Sequence, residues 1–458
     1  MVAPLSPTRG TRFMPGGVLY LAVAAAMVLI AGCTTTEPTR GPVTQVPPRT
    51  STTPNTEPTA PIDRAPAENF IKPRHFDGTE PVRVALLLPF SATNDSARAI
   101  ASAMFDAAQL AVFDAGDQNF LLIPKDTKGT PDGARIAARS AVQDGAEMIL
   151  GPLFSESVEA AAEVTRIAQI PMVAFSSDLK SRGRGVYLLS FPPELEVSRI
   201  TDFAVLNGYN RFGVLAPRND YGDRVSGSFA EEVFVRGGVI VHEERYLQDP
   251  DEMLEPAKRL AKYSKEVVPL EFRHEFDPND PQPVNTDDAD QGYTRGYQAV
   301  MMPEQGTLLR ALAPLLPYYN VDITNIKLLG VSGWNNPRLT REPALRGGWF
   351  AAPDPTISGN FEKRYTNSFG AKPPRLSSLA YDATLLAARL ATRPDPFTRF
   401  SADAIADPNG YFGADGLFRL NPDGSIERGL AILEIQPGGI QVIDPAPRSF
   451  ADPQASAF

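Results

Sequence analysis

Apolar positions along this chain fall into three regimes. From Val18 to Ala31 they run for 14 residues, from Thr34 to Glu80 they nearly vanish, and from Pro81 onward they return as short runs between stretches of helical period. The third regime carries the fold. Val82-Arg83-Val84-Ala85-Leu86-Leu87-Leu88 stops at Pro89 and reads as a buried parallel strand. Over Ala97 to Ala115, Ile100, Met104, Ala108 and Ala111 recur on one helix face. Phe120 to Pro124 then reads as a strand, Pro131 to Asp144 as a helix and Glu147 to Leu150 as a strand. Ser155 to Gln169 is helical, with Val158, Ala161, Ala162, Thr165 and Ala168 on one side, and Pro171 to Phe175 is a strand. Such alternation predicts βαβ units and a doubly wound parallel sheet.

A second series follows: helix Glu194 to Asn207, strand Arg211 to Ala216, helix Gly222 to Arg236, strand Val239 to Arg245 and helix Glu255 to Tyr263. The rhythm breaks at Pro269 to Gly296, which carries four prolines and acids from Glu275 to Asp290 and reads as a surface insertion. It resumes with strand Gln298 to Met302, a helix through Leu308, Leu309, Leu312, Leu315 and Leu316, and strands Ile326 to Gly330 and Gly347 to Ala351. Helices Phe361 to Phe369 and Ser377 to Leu390 come next, then an Asn421-Pro422-Asp423-Gly424 turn with short strands on each side. About 365 residues of βα units exceed one core, so two lobes are expected. The division reads as lobe 1 at about 81–195 and 351–405, and lobe 2 at about 196–350 and 410–445, within a domain of 81–445 followed by a flexible tail at 446–458.

The first two regimes address location. Arg9 and Arg12 precede the apolar run, which is shorter than a membrane span and has the length of a secretory signal. It closes in Leu29-Ile30-Ala31-Gly32-Cys33, whose cysteine is the only one in the chain. The pattern resembles a bacterial lipobox, which implies a signal peptide at 1–32 and lipidation of Cys33. Thr34, rather than Asp, follows, as in lipoproteins sorted to the outer membrane. The segment 33–80 holds nine prolines and eleven threonines between Thr34 and Glu80 and is expected to be a disordered linker. Its length would span about 38 Å as a flexible coil, or roughly 145 Å as polyproline II. The formal charge of −10 becomes −12 without residues 1–32, which argues against nucleic acid as a partner. His75, His242 and His274 have no metal-ligand spacing, so neither metal nor cofactor is expected.

Five motifs in order suggest a family. These are the strand ending Leu86-Leu87-Leu88-Pro89-Phe90-Ser91, the turn Gly151-Pro152-Leu153-Phe154-Ser155, the strand Pro171 to Ser177, Asn219-Asp220-Tyr221-Gly222, and Ala380-Tyr381-Asp382-Ala383. The series resembles the type I periplasmic binding proteins of the leucine/isoleucine/valine-binding kind, from about Pro81 to Asp444. The fold this implies is α/β and two-lobed, each lobe a doubly wound parallel sheet. With the lipobox, the linker and Gly347-Gly348-Trp349-Phe350-Ala351-Ala352-Pro353-Asp354, the chain further resembles the lipoproteins known as penicillin-binding-protein activators. That resemblance implies direct contact with a class A penicillin-binding protein, a peptidoglycan synthase, from an outer-membrane anchor facing the periplasm.

Ligands in open α/β sheets bind beyond the carboxyl ends of strands. Ser91, Gly151, Ser155, Ser176 and Ser177 fall there in the first lobe. Ser155 reads as a helix cap, and a helix start suits a carboxylate. Tyr221 stands where relatives place a ring over the ligand, or packs as a turn residue. Trp334, after Val331-Ser332-Gly333, is expected at the cleft or in the core. Glu304 could meet an ammonium group or complement its helix dipole. Tyr381 is expected near the hinge. There is no G-x-S-x-G elbow, no phosphate loop ending in G-K-[ST] and no G-x-G-x-x-G, and no histidine pairs with a serine, so no enzyme is expected. The leading expectation is a regulator of a peptidoglycan synthase. The alternative is a solute-binding lipoprotein of an ABC importer for an amino acid or a related small ligand.

Overall fold

Aliphatic side chains at every position but Arg83 make β1 (Val82–Leu88) a central strand, buried on both faces. It pairs in parallel with β2 (Phe120–Asp126) on one side and β3 (Met148–Leu150) on the other. β4 (Met172–Ala174) and β5 (Val186–Leu188) complete a parallel five-stranded sheet of order β2-β1-β3-β4-β5. The connecting helices are α1 (Asp95–Ala115), α2 (Pro131–Gln143) and α3 (Ser155–Ala168). Ala101, Met104, Ala108 and Val112 of α1 pack on one face of the sheet, and the alanines of α2 and α3 on the other. This computed structural model describes residues 81–116, 119–265, 267–268, 293–294 and 296–450. Cys33, the 33–80 linker, most of the 269–296 insertion and much of the tail lie outside them.

α4 (Pro193–Leu206) carries the chain into a second lobe, followed by β6 (Arg211–Pro217), α5 (Asp220–Val235), β7 (Val239–Tyr246) and α6 (Leu254–Lys262). Gly222 lets α5 start hard against β6, because a Cβ there would collide with the Pro217 carbonyl oxygen. A two-residue ribbon, β8 (Val267–Val268) with β9 (Tyr293–Thr294), precedes β10 (Ala299–Met301). Then come α7 (Gly306–Leu312), α8 (Leu315–Tyr318), β11 (Lys327–Gly330) and β12 (Trp349–Ala352).

The chain then returns to the first lobe with α9 (Pro355–Phe369), α10 (Ser377–Ala391), α11 (Ala402–Ile405), β13 (Tyr411–Gly413), β14 (Gly416–Leu420) and β15 (Ile426–Arg428). Leu379, Ala383, Leu386 and Leu390 of α10 pack beside α1, and Tyr411, Phe418, Leu420 and Ile426 enter the same core. The Leu188 N–H donates to the Gly424 carbonyl at 2.9 Å, tying the Asn421–Gly424 turn to the edge of the first sheet. Residues 411–428, grouped with lobe 2 on sequence, thus pack in lobe 1, where aromatic and aliphatic side chains complete its core. β16 (Ala431–Gln436) and β17 (Gly439–Asp444) close the second sheet, of order β17-β16-β12-β11-β10-β6-β7, both antiparallel to their inner neighbours. The result is a two-lobed α/β fold with a largely parallel sheet in each lobe. The chain crosses between lobes after β5, after β12 and after β15.

Candidate functional site

The carboxyl ends of β1, β3 and β4 open onto a hollow of about 580 Å³ in the first lobe, a size that suits a small molecule. Its floor is apolar, from Ile100, Leu153, Phe154, Phe175, Phe191, Leu376 and Leu379. Its polar groups are hydroxyl and amide side chains, from Asn94, Ser96, Ser155, Ser176, Ser177 and Ser190. α1, α3 and α10 all begin at this hollow, so three positive dipole ends converge on it. Asn94 caps α1, its side chain accepting the Ala97 N–H at 3.1 Å. α3 is different. Its N-cap residue is Phe154, which supplies no side-chain cap, and the first helical hydrogen bond runs from the Val158 N–H to the Phe154 carbonyl. The N–H groups of Ser155, Glu156 and Ser157 therefore have no helical carbonyl partner, and Ser155 brings this helix start to the wall of the hollow. Among the lining residues there is no lysine or arginine, and the one carboxylate, Asp178, already accepts the Lys180 N–H at 3.0 Å.

The nominated first-lobe residues divide accordingly. Ser155, Ser176 and Ser177 line the hollow. Ser155 is the first helical residue and not the cap, so its hydroxyl is left for a ligand. The Ser176 hydroxyl accepts the Asp178 N–H at 3.1 Å and shapes the loop. Gly151 does not line the hollow. Its φ is +86°, and a Cβ would strike the Leu87 carbonyl, so it serves the tight passage from β3 into α3. Ser91 also stands off, its hydroxyl and backbone N–H both bound to Asp126. That anchorage, with the Ser91 and Lys128 N–H groups, holds the Asp126 carboxyl below the usual carboxylate range despite partial burial.

The remaining nominated residues do not reach the hollow. Glu304 follows β10 and is 3% exposed. Its carboxylate accepts the Tyr246 hydroxyl at 3.0 Å, the Gln248 amide at 3.1 Å and the Gln305 N–H at 3.0 Å. With both oxygens engaged, it is a structural carboxylate and not an open ammonium site. Trp334 is fully buried, its indole N–H donating to the Glu304 carbonyl at 3.0 Å, with Gly330 and Gly348 leaving room for the ring. Tyr221 stands at the start of α5, its ring partly open to solvent. Burial, with Glu196 and Glu304 nearby, pushes its hydroxyl well above the usual tyrosine range, so it stays a neutral donor. Tyr381 faces away from the cleft, donating to Asp114 at 2.8 Å against Phe361. The two lobes meet through Arg224 of α5, which forks onto Glu194 at 2.8 to 3.0 Å and donates to the Ser177 carbonyl at 3.2 Å. The sequence reading missed Asn94, Ser190 and Phe191. Only Asn94 carried a signal, an Asn directly before the acid-led start of a helix.

Two lobes linked by three crossings, with a hollow at the carboxyl ends of the strands, define the type I periplasmic binding protein fold. The family profile described as periplasmic binding protein matches residues 81–263. Solved structures of the same fold include one from Rhodospirillum rubrum described as a branched-chain amino acid ABC transporter, at 19% identity and TM-score 0.63, covering 79% of this chain and 100% of that one. A leucine-binding protein from Thermotoga maritima aligns at 19% identity and TM-score 0.51, over 80% of this chain and 98% of its own. A solute-binding protein from R. palustris in complex with benzoate aligns at 16% identity and TM-score 0.52, over 81% and 98%. No curated protein matches the chain in sequence.

Proposed function

We propose that the chain is a solute-binding receptor of the kind that serves an ABC importer, taking a small carboxylate with an apolar body in the first-lobe hollow. The observation that carries this reading is the uncapped start of α3 beside Ser155, above a floor of aromatic and aliphatic side chains. Backbone N–H groups and hydroxyls suit a carboxylate, and the floor suits its hydrocarbon part. The structural neighbours, described with leucine and with benzoate, point to the same ligand class. The reading involves no catalytic step and puts the lobes in the periplasm. Lipid attachment through Cys33, to the outer membrane, is part of the proposal, and fractionation of Cys33→Ser tests it.

Thermal-shift and calorimetric titration with benzoate and L-leucine test the ligand class. A ligand at a hundred times its Kd stabilises the fold by about 2.7 kcal/mol. Ser155→Asp sets a negative charge at the α3 start and is expected to weaken benzoate at least about tenfold, the cost of a like charge in contact, with the midpoint of the free protein nearly unchanged. Equal affinity in that variant would remove the helix-start site. One observation favours a second reading, in which the protein acts by contact on a class A penicillin-binding protein. The hollow lacks a cationic side chain for an amino acid's carboxylate, and its one carboxylate, Asp178, is already engaged by the Lys180 N–H. Silence across the ligand screen, with enrichment of a synthase in envelope pull-downs, would favour that reading.

A further inference from the structure

Directly behind the hollow, outside its lining, lies a charge cluster in which Asp382, Asp415 and Arg428 are largely buried and Arg375 reaches solvent. Asp382 of α10 is 1% exposed. Its Oδ1 accepts the Ala414 N–H at 2.6 Å, while Oδ2 has no hydrogen-bond partner among the described residues. Asp415, in the turn between β13 and β14, pairs through Oδ1 with Arg375 at 2.7 Å, and its own Oδ2 also lacks a hydrogen-bond partner among the described residues. Arg428 closes β15. Its Nε donates to the Ser190 carbonyl at 2.7 Å, and both terminal nitrogens are buried without a hydrogen-bond partner among the described residues. The two guanidinium groups lie over one ring, that of Phe191, at 3.7 Å for Arg375 and 4.4 Å for Arg428. Ser190 and Phe191 are wall residues of the hollow. The wall therefore rests on two arginines, and the arginines are balanced by two aspartates.

We propose that carboxylate binding in the first-lobe hollow is coupled to proton uptake by the Asp382–Asp415–Arg375–Arg428 cluster behind Phe191. This rests on the ligand class proposed above. No lining residue of the hollow is a cation, and two full positive charges, Arg375 and Arg428, lie against the ring of its wall residue Phe191. With both aspartates ionised, the four charges cancel. A proton on one aspartate leaves the cluster with a net positive charge facing the hollow, and an anion in the hollow in turn favours that proton. The coupling is reciprocal by linkage.

The surroundings of Asp382 suit this role. Burial, reinforced by Asp415, pushes its carboxyl up to about 7 against the pull of Arg428 and Arg375, so the proton exchanges near neutral pH. Arg389 and Tyr411 face Asp382 across a small void, and the Tyr411 hydroxyl is held by the Ala404 carbonyl. On the α1 side, Asp106 and Asp114 engage Tyr365 and Tyr381. Beyond Arg375 stands Glu196 of α4, whose carboxyl burial also raises. It accepts the Ser332 N–H at 2.8 Å and serves as the control site.

The test is calorimetric titration of the protein with benzoate at pH 6, 7 and 8 in two buffers of different ionisation heat. The expected result is net proton uptake near pH 7, with affinity rising about fivefold from pH 8 to pH 6, the effect of one unit charge a side-chain layer away. Asp382→Asn should abolish both the uptake and the pH dependence, and Glu196→Gln should keep them. Benzoate binding that is flat with pH, without proton exchange, overturns the coupling and leaves the ligand reading standing. Absence of binding at every pH overturns both. Should Asp382→Asn fail to fold, the proton count of the unmodified protein decides alone.

Discussion

Single residues in this fold take their roles from what already occupies their hydrogen bonds. Trp334 and Glu304 both follow strand ends of the second lobe, where side chains commonly meet ligand. Yet the indole holds the Glu304 backbone, and the carboxylate is filled by Tyr246, Gln248 and Gln305. Nothing in the sequence showed this, because Tyr246 and Gln248 arrive from a strand more than fifty positions away. Asp382 is the contrasting case, a carboxyl with one oxygen unmatched. Its folded value near 7 lies above the ordinary 3.8, so the native state holds a proton that the unfolded chain has released. The resulting stability is complete below the unfolded value and is lost as pH rises through the folded one. Thermal midpoints are therefore expected to fall between pH 5 and pH 8, and Asp382→Asn to flatten that slope. An unchanged slope in the variant would remove Asp382 as its source.

Elements were far more legible than sites. Continuous aliphatic runs and alanine-rich faces announced β1, α1, α3 and α10, and the structure departs from the expected bounds by only a few residues. What escaped was β5, whose three residues follow an Arg/Gly-rich stretch and carry no period. Also missed was the membership of β13 to β15, since a short hairpin reads the same whichever lobe it joins. The hollow was legible only as a series of serines, because its shape needs three helix starts that approach in space alone. One element boundary gives a sharp test. Gly222 sits where any side chain meets the Pro217 carbonyl, and the Asn219 cap accepts its N–H at 2.8 Å. Gly222→Ala should cost about 2 kcal/mol, in line with overpacking against backbone, read as a lower denaturation midpoint at unchanged m-value. A cost under a few tenths would show that α5 can shift away from β6 freely.

At the scale of the molecule, Arg224 joins the lobes across the cleft, gripping Glu194 beside one crossing and the Ser177 carbonyl at the rim of the hollow. Arg224→Ala removes this bond while leaving every lining side chain in place. The expected outcome is a larger radius of gyration in small-angle scattering for the free protein and faster ligand release. Identical scattering curves and release rates would show that the lobes are held by the crossings alone. Those crossings have a consequence for synthesis. β13 to β15 finish the first core, and β16 and β17 finish the second sheet, so residues 411–444 complete both halves. A nascent chain paused before Tyr411 has an open edge at β12 and lacks the turn beside β5, two unfinished lobes at once. Neither lobe can therefore complete its core before residues 411–444 are made.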